Sequence, residues 1–180
     1  GGMGIIVLMV ALVPNLGVKA QNVASAETPG PTVTKLTSRF SDTARSLYIA
    51  YFLLTIALTT LLLLGGMNLY DAVAHAFATM ATGGFSTYND SIAHFHSYYI
   101  TWVITVFMII AGTNFNLFFT MIFDKIKTAL ADEEFRLYGC ILAVSVTLIS
   151  ISLMMQGGYS QISKTVTDAA FQVSTMISTT

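Results

Sequence analysis

The sequence predicts an all-α polytopic membrane protein built from repeated helix–re-entrant loop–helix units, and three observations predict it. Hydrophobic residues make up 54% of the chain and charged residues 9%, with a mean hydropathy of +0.72. A soluble domain carries about 25% charged residues, so the excess apolar surface has to meet lipid or other membrane helices. Between two long apolar stretches lies one too short to cross a bilayer, and it ends at a pair of glycines, Gly83-Gly84. The residues that open and close that short stretch then recur, in register, near the C-terminus.

A bilayer core needs about 20 residues of apolar helix. Four stretches approach this: 1–18, 47–66, 98–123 and 137–156. The first is short and contains Pro14, as expected of the tail of a span that began earlier, and both chain ends read as cuts through a longer protein. The second opens after Ser41, Asp42 and Thr43, residues suited to starting a helix, and closes at Gly65-Gly66, a helix stop. The third carries Trp102 and the pair Tyr98-Tyr99 near one end, as at a membrane interface. Cys140, the single cysteine, lies in the fourth, where it reads as a small buried apolar side chain.

The short stretch runs from about Leu69 to Ala81. Non-helical backbone at membrane depth is tolerated only where protein buries it or water lines it, so a short helix ending at glycines between two spans reads as re-entrant. Charge sets its side of entry. Lys19, Lys35, Arg39 and Arg45 fall in the linker 19–46, and Lys125, Lys127 and Arg136 in the linker 124–136, which leaves only Lys164 elsewhere. By the positive-inside rule both linkers are cytoplasmic, and the re-entrant segment enters from outside.

The repeat is visible residue by residue. Asn68 with Asp71-Ala72 has its counterpart in Thr165 with Asp168-Ala169, each a polar cap followed three places on by an acid. Asp71 to Thr82 and Asp168 to Thr179 are both eleven positions. Asn68, Asp71, Thr165 and Asp168 are therefore expected to start two equivalent short helices.

The string Thr79-Met80-Ala81-Thr82-Gly83-Gly84-Phe85-Ser86-Thr87 resembles the pore loop of the Trk/Ktr/HKT potassium transporter superfamily, most closely its TrkH/KtrB branch. Gly1-Gly2-Met3-Gly4, Glu27-Thr28-Pro29-Gly30-Pro31 and Gly65-Gly66-Met67 support it, and the resemblance covers nearly the whole chain. It implies four joined repeats, each like one potassium-channel subunit. On that reading 1–18 ends the inner helix of a preceding repeat and 19–46 is a cytoplasmic linker. A complete pore repeat, 47–123, follows, then a second cytoplasmic linker, 124–136. Residues 137–180 are the first half of the next repeat, truncated at its filter.

The resemblance implies that Thr82, Gly83, Gly84 and Phe85, with Thr179 and Thr180 of the next repeat, belong to a potassium filter. The chemistry agrees: a dehydrated potassium ion needs oxygen dipoles in place of its hydration shell, and backbone carbonyls supply them. Turning successive carbonyls to one axis demands conformations that glycine permits, and Gly84 is the matching glycine. Ser86 stands where a channel has a second glycine, so it is expected to loosen the outermost ion site and to tolerate alanine.

The function so implied is potassium uptake across the bacterial inner membrane, with K+ as the transported ion and no bound cofactor. The alternatives are a sodium-permeable or non-selective cation transporter of the same fold, or a non-transporting structural subunit. The implied partners are membrane lipid, a second copy in a homodimer, and a cytoplasmic nucleotide-binding ring of the TrkA/KtrA type. Nucleic acid is not among them, and a net charge of −1 gives no pull toward it.

Asn114 lies roughly mid-span after Gly112 and is the candidate to line a wet cavity, with Thr113 and Asn116 beside it. Gly112 allows close packing or a bend. His75 reads as a packed, hydrogen-bonded histidine; His94 and His96 read as solvated loop residues near Asp90. Ser86 with His75 is the one remote nucleophile–base pair, and no acid is placed in the sequence to orient it.

Overall fold

The computed structural model describes residues 40–113, 132–155 and 161–180, with side chains from Tyr48 onward. The described residues form helices and loops, without strands. In order they are α1 (Phe40–Leu64), α2 (Leu69–Met80), a 3-10 turn (Ser91–Phe95), α3 (Tyr98–Ala111), α4 (Glu133–Met155) and α5 (Ile162–Ser178). Residues 1–39, which hold the first apolar stretch and most of the first linker, lie outside the described residues, as do 114–131.

Helix α1 begins at Phe40, so Ser41, Asp42 and Thr43 sit within its first turn instead of preceding it. Its end is as expected. Gly66 has φ +94°, Met67 N–H donates to Leu62 O at 3.2 Å, and Gly66 N–H donates to Leu63 O at 3.0 Å. This is a Schellman close, and it needs a residue that accepts a left-handed backbone. Leu58 and Leu62 are fully buried, whereas Phe52, Leu53, Ile56 and Leu64 are exposed.

Helix α3 has 14 residues, a length of about 21 Å, and its cap is Gly112. Helix α3 ends at Ala111, and the rest of the third apolar stretch, from 114 to 123, lies outside the described residues. Thr113 turns its hydroxyl back to Ile110 O at 2.7 Å. Helix α4 starts at Glu133, before the expected 137. Asp132 caps it by accepting from Glu134 N–H at 2.9 Å and Phe135 N–H at 3.3 Å. Among the described residues α4 is the one helix long and apolar enough to cross a membrane; Tyr48–Leu64 and Tyr98–Ala111 are shorter apolar helices. Cys140 on α4 is exposed, not buried as its apolar surroundings suggested, because it lies on a helix face that no described element covers.

The described residues of 54–113 and 132–180 belong to one compact unit. Within it α3 packs on both α2 and α5, and α5 also packs on α4. Gly112 makes that packing possible: a Cβ there would lie 2.9 Å from the Tyr138 hydroxyl of α4 and 3.2 Å from Ser178 Cβ of α5. Two polar ties cross the same interfaces, Trp102 Nε1–H to Thr167 Oγ1 at 3.1 Å and Tyr138 O–H to Ile109 O at 3.3 Å.

Candidate functional site: two helix ends that meet

The short helix α2 is built as its sequence demands. Asn68 caps it with extended backbone, its Oδ1 accepting from Asp71 N–H at 2.8 Å, while its Nδ2 donates to Asp71 Oδ2 at 2.7 Å. At the other end Thr82 takes a left-handed backbone, φ +50°, and Gly83 N–H donates to Ala78 O at 2.7 Å. Helix α5 ends the same way: Thr179 has φ +58°, and Thr180 N–H donates to Thr175 O at 3.1 Å. The two threonines and the two hydrogen bonds occupy equivalent places in the repeat. A left-handed threonine costs about 1–2 kcal/mol, so its presence at both sites marks a backbone held by its surroundings. The sequence motif contained these threonines but gave no sign of their conformation.

The helix starts differ, and here the expectation for Thr165 and Asp168 is corrected. Helix α5 begins at Ile162 after Gln161, so Thr165 is internal, fully buried, with its hydroxyl donating to Gln161 O at 3.1 Å. Residues 161–164 fold into an added turn ahead of the cap-like threonine. Once that turn exists, the threonine hydroxyl satisfies itself on the preceding turn instead of capping.

The two short helices converge at their C-terminal ends. Gly84 has φ +68°, and a Cβ on it would lie 2.6 Å from the carbonyl carbon of Thr180. Thr82, Gly83, Gly84 and Phe85 follow α2, Thr179 and Thr180 end α5, and Gly84 and Thr180 touch. Helix C-termini carry partial negative charge, and the segments that leave two of them meet here. Among the described residues no hydrogen bond ends on the main-chain carbonyls of Thr82, Gly83, Gly84 or Phe85. Gly83, Gly84 and Phe85 are exposed, so the carbonyl oxygens of this segment are open to water or to a ligand. Phe85 is 81% exposed. Asn114, the cavity candidate, and Asn116 lie outside the described residues.

Behind this segment stands a hydrogen-bonded cluster. Asp71 is buried and its carboxylate accepts three donors: Thr87 O–H at 2.6 Å on Oδ1, and Tyr88 O–H at 2.9 Å and Asn68 Nδ2 on Oδ2. The Thr87 hydroxyl foremost, then the Tyr88 hydroxyl and the Asn68 amide, hold the carboxyl below its ordinary range against the opposing effect of burial. The same bond pushes the Tyr88 phenol up. His75, also buried, places Nδ1 at 2.8 Å from Asp71 O and Nε2 at 2.9 Å from Ser86 Oγ. A carbonyl only accepts, so in the neutral ring Nδ1 carries the proton and Nε2 accepts from the serine hydroxyl. Ser86 Oγ accepts in turn from Tyr88 N–H at 3.2 Å.

His75 is thus the packed histidine expected, but Ser86 is no free position: alanine there would strip a buried imidazole of its partner. The pair is also no hydrolytic dyad, since the main-chain oxygen of Asp71, not its carboxylate, orients the ring. The loop beyond folds back over this cluster. His94 stacks on Tyr88 at 3.7 Å, and Phe95 meets His75, Tyr88 and His94 edge-on.

Comparison with known proteins agrees with this architecture. Residues 1–179 match the family model TrkH, described as a cation transport protein. The chain belongs to the TrkH family. It is 40% identical over 181 residues to the Trk system potassium uptake protein TrkH of Escherichia coli, a match covering 99% of this chain and 38% of that protein. It is likewise 40% identical over 152 residues to the TrkG protein of the same organism, across 83% of this chain and 31% of that one. The crystal structure of the potassium transporter TrkH from Vibrio parahaemolyticus superposes with a TM-score of 0.74 at 34% identity, covering 96% of this chain and 34% of that chain. The chain therefore spans about a third of the length of these relatives. Its family consists of membrane-embedded transporters, not enzymes, and its fold is that of a helical membrane protein.

Proposed function

We propose that this chain is part of a potassium uptake pathway whose selectivity filter includes Thr82, Gly83, Gly84 and Phe85 of one repeat and Thr179 and Thr180 of the next. The observation that carries the reading is the meeting of Gly84 and Thr180 just beyond the ends of two helices, beside four main-chain carbonyls that accept no hydrogen bond among the described residues. A ring of such oxygens can replace the hydration shell of a potassium ion. The relatives named potassium uptake proteins support the choice of ion. The transporter sits in the bacterial inner membrane as a multi-pass protein, with 47–123 a complete pore repeat and 137–180 the first half of another. Linkers 19–46 and 124–136 face the cytoplasm, where a nucleotide-binding ring would dock beneath a homodimer. Their lysines and arginines support that orientation.

The test is growth on limiting potassium of cells lacking other uptake systems, supplied with the full-length transporter or its Gly84→Ser form. Restored growth with the parent and its loss, or its poisoning by sodium, with Gly84→Ser is expected. A variant that transports potassium with unchanged affinity and unchanged preference over sodium would refute the filter assignment.

A further inference from the structure

The Thr82–Phe85 segment is anchored differently at its two ends. Toward α2 it is held by main chain alone, through Gly83 N–H on Ala78 O. Beyond Gly84 no main-chain hydrogen bond ties residues 84–87 to α2 among the described residues. Three consecutive side chains do so instead: Ser86 on His75 at 2.9 Å, and Thr87 and Tyr88 on Asp71 at 2.6 and 2.9 Å. Both receptors are buried, Asp71 to 3% exposure and His75 to 2%. They stand one helical turn apart and are bonded to each other through His75 Nδ1–H and Asp71 O. The imidazole cannot swing without breaking that bond, and the carboxylate cannot turn without releasing two hydroxyls.

We propose that Asp71 and His75 are positioning residues that set cation selectivity from behind the segment, by fixing Ser86, Thr87 and Tyr88 and so the span of backbone stretched between them and Ala78. The proposal rests on the transport reading above. Neither residue is placed to touch the ion: both carboxylate oxygens of Asp71 are taken by donors, and both nitrogens of His75 are bonded. Their influence is mechanical. Oxygens that must replace a hydration shell discriminate by where they are held, and a segment loose at one end adapts to a smaller ion as readily as to a larger one. Bonds to an ionised acceptor are about twice as strong as neutral ones, which makes Asp71 the stiffer anchor. In the repeat, Asp168 stands where Asp71 does, but Gln172 stands where His75 does. A carboxylate thus stands at this position in both units and an imidazole only in the first.

Thr87→Val and Tyr88→Phe each remove one hydroxyl that donates to Asp71 and leave α2 intact. In the full-length transporter, rubidium uptake would be measured in competition with potassium and with sodium, alongside the amount of protein in the membrane. Each variant is expected to lower the potassium-over-sodium ratio by about tenfold, the scale of a lost bond to a charged group. In an Asp71→Asn background the same substitutions should add less than about twofold, since their partner is already altered. A merely structural role would lower the amount of transporter and its maximal rate without moving the ratio. If both single variants keep the parent ratio while Gly84→Ser loses it, the positioning role is wrong and the filter reading stands. If Gly84→Ser keeps it too, the filter reading itself fails and takes this proposal with it.

Discussion

Replacing Gly84 by alanine adds a single methyl group and makes two separate demands on the structure. The backbone at Gly84 has φ +68°, a left-handed conformation that costs a residue with a side chain about 1–2 kcal/mol. The new methyl would also lie 2.6 Å from the carbonyl carbon of Thr180 and 3.3 Å from its oxygen. Those are main-chain atoms at the end of α5, which cannot rotate aside as a flexible side chain could. Overpacking of this kind costs a further 1–3 kcal/mol, roughly. The total, about 2–5 kcal/mol, can be relieved only by turning the Gly84 carbonyl or by parting Gly84 from Thr180. Either change would open the oxygen cage proposed above. Since 1.4 kcal/mol is a factor of ten in an equilibrium, even the lower figure is expected to cut the preference for potassium over sodium more than tenfold. The helices themselves are untouched, so the variant should reach the membrane in parental amounts. Competition of the two ions for rubidium uptake measures the preference, and membrane immunoblots measure the amount. A Gly84→Ala transporter that kept both its affinity and its ion preference would refute the argument.

Gly83 supplies the contrast: its φ is outside the left-handed region and a Cβ would meet the Phe85 ring at 3.3 Å and Ala78 O at an ordinary 3.7 Å, so Gly83→Ala should shift the same ratio less than Gly84→Ala does. Ser86→Ala should prove harmful, lowering the thermal midpoint of the purified transporter by leaving His75 Nε2 buried without a donor, and Ser86→Thr, which keeps a hydroxyl, should recover part of the loss. Asp71 is held ionised by its donors. Because its folded pKa lies below the unfolded one, the stabilisation it gives is complete above the ordinary carboxylate range and is lost as pH falls through the lowered folded value. Acid unfolding followed by tryptophan fluorescence should therefore begin at higher pH in Thr87→Val than in the parent. The charge pattern predicts that an external thiol reagent modifies Asn89→Cys and not Lys35→Cys in intact cells; the reverse would invert the orientation.

The sequence by itself determined the parts that depend on neighbours along the chain. Composition sent the protein to a membrane. Asn68 and Asp71 specified a helix start, and Gly65-Gly66 a helix stop, because caps act over three or four residues and leave their signature in order. Gly84 stood out for the same reason, since a left-handed backbone is a local demand. The identical spacing of Asp71 to Thr82 and Asp168 to Thr179 revealed two equivalent helix ends, although it did not reveal that both threonines would be left-handed.

Tertiary structure decided what those local features meet. Thr165 has every mark of a cap, yet residues 161–164 add a turn before it, and Thr165 is fully buried within α5. Ser86 looked like a dispensable substitute for glycine until the fold brought it to His75, eleven residues back and on the far side of a reversal. Asp71 was legible as a cap acid, but its two further donors, Thr87 and Tyr88, arrive from beyond the glycines. The contact of Gly84 with Thr180 joins residues nearly a hundred positions apart. No periodicity encodes such a meeting; it follows from α5 packing beside α3, through the small side of Gly112, until the two short helices end at one point.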